Sequence, residues 1–324
     1  MKGPGFALAT LLAASPGLAL ALSTSAASDR SGRIVINDPA GETRAREIGA
    51  PFRSVVELDI GGGFCSGALI GATTVLTAKH CFVDTDVTDV DVLFINENSA
   101  VEQTIAATAI LPFGTIGTDL LDRTDIALVE MQAAATGYEI FSLVADLTVG
   151  EEALMIGYGN NGVGSVGHED SRDFFRWGAA NVVDWIGQAG EEGGLLAADT
   201  ANIISTDFDN PDGTSNTLGG GAVQSSPNAI DDEGTTAPGD SGGPLLVQRN
   251  GTWAIAGVLS GGTTEFSPYG DISWWTGVAE PELRKFVVAN SSATYVPAIP
   301  LPATAWMLLA AVTGISVMRR RAAA

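Results

Sequence analysis

The chain has 324 residues, 45% of them apolar and only 17% charged, which is enough material to bury a sizeable core and too apolar for a disordered tail. Its 38 acidic residues against 16 basic ones give a net charge of -22, a field that repels phosphate backbones and excludes nucleic acid as a partner. Two cysteines cannot build a disulfide-dense scaffold or a four-cysteine zinc site, yet they can form one bridge in an oxidising compartment.

In chain order, residues 1–27 read as a secretory signal peptide: Lys2 precedes an uncharged Leu/Ala-rich run that ends in the small residues Ser25, Ala26 and Ala27. Residues 28–33 form a short propeptide. Short β-rich runs then recur at Ser54 to Ile60, Phe64 to Ile70, Thr74 to Ala78, Val90 to Ile95, Ile126 to Met131 and Ala153 to Gly157. A second set comprises Phe174 to Val183, Ile203 to Thr206, Pro244 to Val247, Trp253 to Ser260 and Asp271 to Thr276. One helix is expected from Pro281, with Leu283, Phe286 and Val287 on one face. The fold class is all-β with a C-terminal helix. Polar and Gly-rich pieces between Asn160 and Pro238 read as surface loops, including the acidic stretch Asp207 to Asp212, which lacks a bidentate glutamate at calcium-loop spacing and is expected to be solvated. No metal and no cofactor is expected.

Any histidine chemistry must use His80 or His168, because the chain has no other. His168 lies in the polar stretch Gly167-His168-Glu169-Asp170 and reads as solvated, whereas His80 sits in Leu76-Thr77-Ala78-Lys79-His80-Cys81. Asp125 opens the apolar strand Asp125-Ile126-Ala127-Leu128-Val129, where a carboxylate at the edge of a buried run needs a partner such as an imidazole N–H. Ser241 stands in Gly239-Asp240-Ser241-Gly242-Gly243-Pro244, a turn whose backbone N–H groups can converge on one oxygen. A serine is a poor nucleophile until a neutral imidazole takes its proton, and a buried carboxylate fixes the tautomer of that imidazole. The string Gly239-Asp240-Ser241-Gly242-Gly243 also fits the nucleophile elbow of α/β-hydrolases. The order rules that class out, since no histidine follows Ser241 and Pro244-Leu245-Leu246-Val247 reads as a strand rather than a helix.

These strings, together with Cys65-Ser66-Gly67-Ala68-Leu69-Ile70, stand in the order of the trypsin-like (chymotrypsin-fold) serine peptidases, which the segment from about Ile34 to Asn290 resembles. The resemblance implies two six-stranded antiparallel β-barrels (about 34–148 and 149–290) with His80, Asp125 and Ser241 as a catalytic triad between them. It implies oxyanion-hole N–H groups from Gly239 and Ser241, a substrate-pairing strand at Ser260-Gly261-Gly262, and support of Asp125 by Ser260. It also implies a Cys65–Cys81 bridge behind the histidine. Arg33 before Ile34-Val35 looks like the family's activation point, with the new amino group pairing with Asp240. The segment from Ile36-Asn37-Asp38 through Ala50-Pro51-Phe52-Arg53 looks more like the bacterial glutamyl endopeptidase branch. That branch has a histidine where this chain has Leu259, and trypsin has an aspartate where this chain has Thr235. The pocket residues Thr235, Thr236, Leu259 and Gly262 are neutral, so an uncharged substrate side chain is expected.

After the domain, residues 291–324 read as a sorting tail with a hinge at Asn290 to Thr294. The uncharged run 301–318, preceded by Pro297, Pro300 and Pro302 and followed by Arg319, Arg320 and Arg321, is long enough to span a bilayer with the arginines on the cytoplasmic side. Ile299-Pro300-Leu301-Pro302-Ala303, the apolar span and the arginine cluster resemble PEP-CTERM sorting tails in their Pro-Leu-Pro-Ala variant, which implies an exosortase as a processing partner. The reading is an exported serine endopeptidase of the cell envelope, transiently anchored in the membrane and acting on protein or peptide substrates. The alternative is a surface binding protein that keeps the fold with weak catalysis.

Overall fold

The computed structural model describes residues 34–117, 124–169, 173–187, 202–220 and 225–297. The chain enters through β1 (Val35–Ile36) and α1 (Gly41–Gly49), then forms β2 (Val55–Ile60), β3 (Phe64–Gly71), β4 (Thr74–Thr77), β5 (Val90–Ile95), β6 (Val101–Pro112) and β7 (Ala127–Met131). These last six close into a barrel in the order β2-β3-β4-β7-β6-β5. The barrel fills because inward residues such as Val56, Leu58, Leu69, Val75, Val92 and Val129 are buried, each worth about 1.5–3 kcal/mol relative to exposure.

The second half contains β8 (Ser142–Val144), β9 (Glu152–Gly157), β10 (Gly162–Val163), β11 (Gly167–His168), β12 (Trp177–Val182), β13 (Trp185–Gly187), β14 (Ile203–Asp207) and β15 (Gly234–Thr235). It ends with β16 (Pro244–Arg249), β17 (Thr252–Gly262), β18 (Ile272–Gly277), α2 (Pro281–Asn290) and β19 (Tyr295–Val296). The main path is β12-β9-β16-β17-β18-β14-β13, with β8 joining β17 to β19. Among the described residues this sheet is curled and open, so the expected second six-stranded barrel is replaced by a half-barrel. A separate sheet, β11-β10-β1-β15, places the amino-terminal strand in the second half, not in the first barrel.

The helix from Pro281 forms as expected. Glu280 accepts from the Leu283 N–H at 2.7 Å, Pro281 opens the first turn, and Leu283 and Val287 are buried. Helix α1 was not legible as a periodic pattern, because only Ala45 and Gly49 of it are buried. Charged pairs hold it instead: Arg46 meets Glu42 at 3.6 Å, and Arg44 meets Glu47 at 3.4 Å. Its C-terminal carbonyls are closed by the buried Arg176, whose guanidinium donates to Gly49 O and Ala50 O at 2.9 Å each and reaches Ile95 O of the barrel at 2.9 Å. Strand β6 escaped notice for a similar reason: of its residues only Ile105 is buried.

One strand boundary shifts, and one loop expectation fails in part. The strand expected from Phe174 starts at Trp177, since Phe174 is exposed with φ of 59°. The stretch from Asp207 is solvated only in its second part: Asp212 is exposed, but Asp207 and Asp209 are buried with Asp184 and Glu233. Asp184 Oδ2 accepts from the Asp207 N–H at 3.0 Å, and Glu233 Oε1 accepts from the Asp209 N–H at 2.7 Å. Burial, then the Asp207 charge, lifts Asp184 well above the usual carboxylate range and Asp209 to about 7. Burial lifts Glu233 to about 8, against N–H groups of Ile230 and Asp209 that favour its charged form.

The folded body also runs further than expected. Leu143 N–H donates to Thr294 O at 2.9 Å, and Ala145 N–H donates to Val296 O at 2.8 Å. Tyr295 hydroxyl donates to Val278 O at 3.2 Å. The segment 290–294 is therefore not a hinge, and the boundary moves from 290 to beyond Val296. The stretch 1–27 read as a signal peptide, Arg33 and the apolar run 301–318 lie outside the described residues, within which no helix is long and apolar enough to cross a membrane.

Candidate active site

Strand β4 ends at Thr77 and Ala78 turns the chain, so that His80 sits on the 3-10 turn Lys79–Phe82. The Cys65–Cys81 disulfide, with Cα atoms 6.3 Å apart, pins this turn to β3 and closes a loop of 16 residues, a constraint worth about 3 kcal/mol. Asp125, two residues before β7, is fully buried. One of its oxygens accepts the His80 backbone N–H at 3.0 Å and the other lies 2.7 Å from His80 Nδ1. The carboxylate can only accept, so Nδ1 carries the proton and the Nε2 lone pair faces away. There, at 2.9 Å, stands Ser241 Oγ.

The turn that holds Ser241 needs its glycines. Gly239 and Gly242 have φ of 93° and 81°, and a Cβ on Gly242 would lie 2.0 Å from Thr77 Oγ1 and 2.4 Å from Ser66 O. The turn is fixed from both halves: Ser66 N–H donates to Ser241 O at 2.8 Å, Ser66 Oγ to Gly239 O at 3.2 Å, and Gly242 N–H to Leu259 O at 2.9 Å. Asp240 points inward and accepts from Gly159 N–H at 2.7 Å and Ala237 N–H at 3.0 Å. Among the described residues, the N–H groups of Gly239 and Ser241 have no protein acceptor. They are free to donate to a ligand oxygen beside Ser241.

A cavity of about 260 Å³ opens next to the serine, lined by His80, Thr236, Leu259, Ser260, Gly261 and Gly262 among others. Five of the six expected substrate-contact residues thus line it. Thr235 does not. It lies one layer behind, its hydroxyl 2.8 Å from Ser273 Oγ and donating to Asp271 Oδ2 at 3.2 Å. Ser260 does not support Asp125 either, since its hydroxyl pairs with Thr276 Oγ1 at 3.0 Å. Sequence reasoning missed Ala237, Pro238, Thr264, Glu265 and Ser267, which complete the lining. The last three sit in the turn after β17, and nothing in their local sequence marks them. A larger cavity of about 850 Å³, bordered by Arg53, Tyr138 and Trp253, touches none of the three relay residues. His168, expected to be solvated, is buried on β11.

A closed β-barrel faces a curled sheet, with a serine, a histidine and a buried carboxylate in line between them. Residues 40–184 match the family model described as Trypsin, a span that holds His80 and Asp125 and stops short of Ser241. An uncharacterized peptidase of Corynebacterium glutamicum (strain R) is 28% identical over 230 residues, covering 70% of this chain and 64% of the relative. A protein also described as a peptidase from a second strain of that species shows the same identity and coverage. The match thus spans less than two thirds of the length of these curated relatives. Together these likenesses support a peptidase function of the trypsin-like kind.

Proposed function

We propose that the chain is an exported serine endopeptidase that cleaves protein or peptide substrates through an acyl-enzyme. The observation that carries this reading is the Asp125–His80–Ser241 relay, at 2.7 and 2.9 Å, with two free N–H groups beside its serine. Ser241 Oγ attacks the scissile carbonyl carbon while His80 Nε2 takes its proton, and Asp125 stabilises the resulting imidazolium. The carbonyl oxygen, now carrying negative charge, receives hydrogen bonds from Gly239 and Ser241 N–H. His80 then returns the proton to the leaving amine. Water enters by the same base and frees the acid.

The pocket suits an uncharged side chain. Thr236, Leu259, Ala237 and Pro238 line it, and Glu265 sits at its exposed rim. The carboxyl of Asp271 lies behind Gly262, where burial raises its pKa and Thr263, Thr264 and Thr235 donate to it.

Cleavage after Arg33 would free an amino group at Ile34, which is buried just before β1, the strand paired with β15. Asp240 is the partner we assign to that group, and amino-terminal sequencing of active protein separates this from a start near Ser28. Export by residues 1–27, anchoring by 301–318 and release by an exosortase complete the proposal, as does kinship with the glutamyl endopeptidase branch. The catalytic test is hydrolysis of an unstructured protein substrate. Ser241→Ala and His80→Ala should each lower kcat by at least a thousandfold with an unchanged Tm; near-native turnover in either variant would refute the assignment.

A further inference from the structure

His168 does no chemistry at the serine, yet it sits where two walls of the substrate cavity meet. The hairpin β10–β11 pairs Gly162 with His168. From it, the His168 backbone N–H donates to Phe266 O at 2.8 Å, and Nε2 lies 2.6 Å from Glu265 O. The ring also lies 5.6 Å from the Phe266 ring. Approach is close at the preceding residue too, since a Cβ on Gly167 would fall 2.3 Å from Phe266 O. Thr264, Glu265 and Ser267 of this turn line the cavity. On its other side, His168 Nδ1 meets Asn160 Nδ2 at 2.8 Å, and the Asn160 backbone N–H donates to Pro238 O at 3.3 Å. Pro238 also lines the cavity.

Glu265 O only accepts and Asn160 Nδ2 only donates, so the ring that satisfies both is neutral with its proton on Nε2. Asp271 ties the start of the wall turn through Thr263 and Thr264, and His168 adds the hold on Glu265 and Phe266. Thr263, Thr264, Glu265 and Phe266 are exposed, and burial contributes little to holding them in place. We propose that His168 is a positioning residue for the substrate pocket, a strut that fixes the Thr264–Ser267 wall against Pro238 through Asn160. The inference rests on the peptidase reading of the cavity and adds a residue that this reading does not require.

The test uses the full chain with His168→Leu and His168→Gln. Glutamine can donate to Glu265 O and accept from Asn160, whereas leucine can do neither. Three quantities are read: kcat and KM on a peptide substrate, the labelling rate by a small fluorophosphonate with no group for the pocket, and amide hydrogen exchange at Thr264 to Ser267. His168→Leu should raise KM roughly tenfold, with kcat and labelling within about threefold of the parent, and should speed exchange in the wall. His168→Gln should restore both KM and protection. An unchanged KM in the leucine variant, or a glutamine variant as impaired as leucine, overturns the strut. If the parent protein neither labels nor cleaves, the peptidase reading fails, and the exchange comparison alone then decides the strut: protection lost in leucine and kept in glutamine upholds it, and equal exchange overturns it.

Discussion

At the scale of single residues, Asp125 does more than hold His80 in place. It accepts from the histidine backbone with one oxygen and from the ring with the other, so it sets both the position and the tautomer of the imidazole. Asp125→Asn keeps the shape but presents an NH2 where an acceptor is needed. The ring then turns its protonated nitrogen toward Ser241 and cannot take the serine proton. We expect kcat to fall by several orders of magnitude with KM within a few-fold, measured by steady-state peptide hydrolysis. A loss of less than tenfold would mean that the carboxylate serves only to stabilise the fold. The relay was legible in the sequence because each member sits in a short, self-contained string. Ser260 and Thr235 were misplaced because their partners, Thr276 and Ser273, come from β18, and side-chain pairing across strands leaves no local mark.

At the scale of elements, the buried carboxyl cluster beneath β14 and β15 sets a pH dependence of stability. Asp209 and Glu233 titrate at about 7 and 8 in the fold and near the ordinary value of about 4 when unfolded. The folded protein therefore holds extra protons between those values. Its stability from these groups is greatest below about pH 4 and is lost as pH rises through 7 and 8. Thermal melts should show Tm falling from pH 6 to pH 9. Asp209→Asn, which removes one charge without changing volume, should flatten that slope and raise Tm at pH 9 by a few degrees, on the order of 1 kcal/mol. A level profile in the parent protein, or an unaltered slope in the variant, would contradict the account. The cluster was invisible in the sequence because an acidic stretch reads as a solvated loop until β18 and the segment before β15 close over it. Helix α1 and strand β6 were missed for the opposite reason, having too little buried surface to imprint a period.

For the whole molecule, the two halves are joined where the chemistry sits. Ser66 of the barrel holds the Ser241 turn of the curled sheet, and Arg176 links α1 to the barrel carbonyl of Ile95. At the far end β19 seals the edge of β8, which fixes where a tail can be removed. Truncation after Pro297 should leave Tm and specific activity unchanged, whereas truncation after Ser292 strips β19 and should lower Tm by several degrees. Equal melting of the two forms would show that β19 contributes nothing to the body. The all-β class and the C-terminal helix could be read from short apolar runs and from Pro281, whereas the closed first barrel was expected from the family resemblance alone. The open second sheet could not be read, since closure depends on how strands far apart in sequence meet.

The central claim is that His80, held by Asp125, makes the Ser241 hydroxyl nucleophilic. Treatment of the folded protein with a fluorophosphonate, followed by peptide mass mapping, tests it most directly. The account predicts a single adduct on Ser241, absent in Ser241→Ala and slowed at least a thousandfold in His80→Ala. An unlabelled Ser241 in correctly folded, amino-terminally processed protein, or equal labelling in the His80 variant, would contradict it.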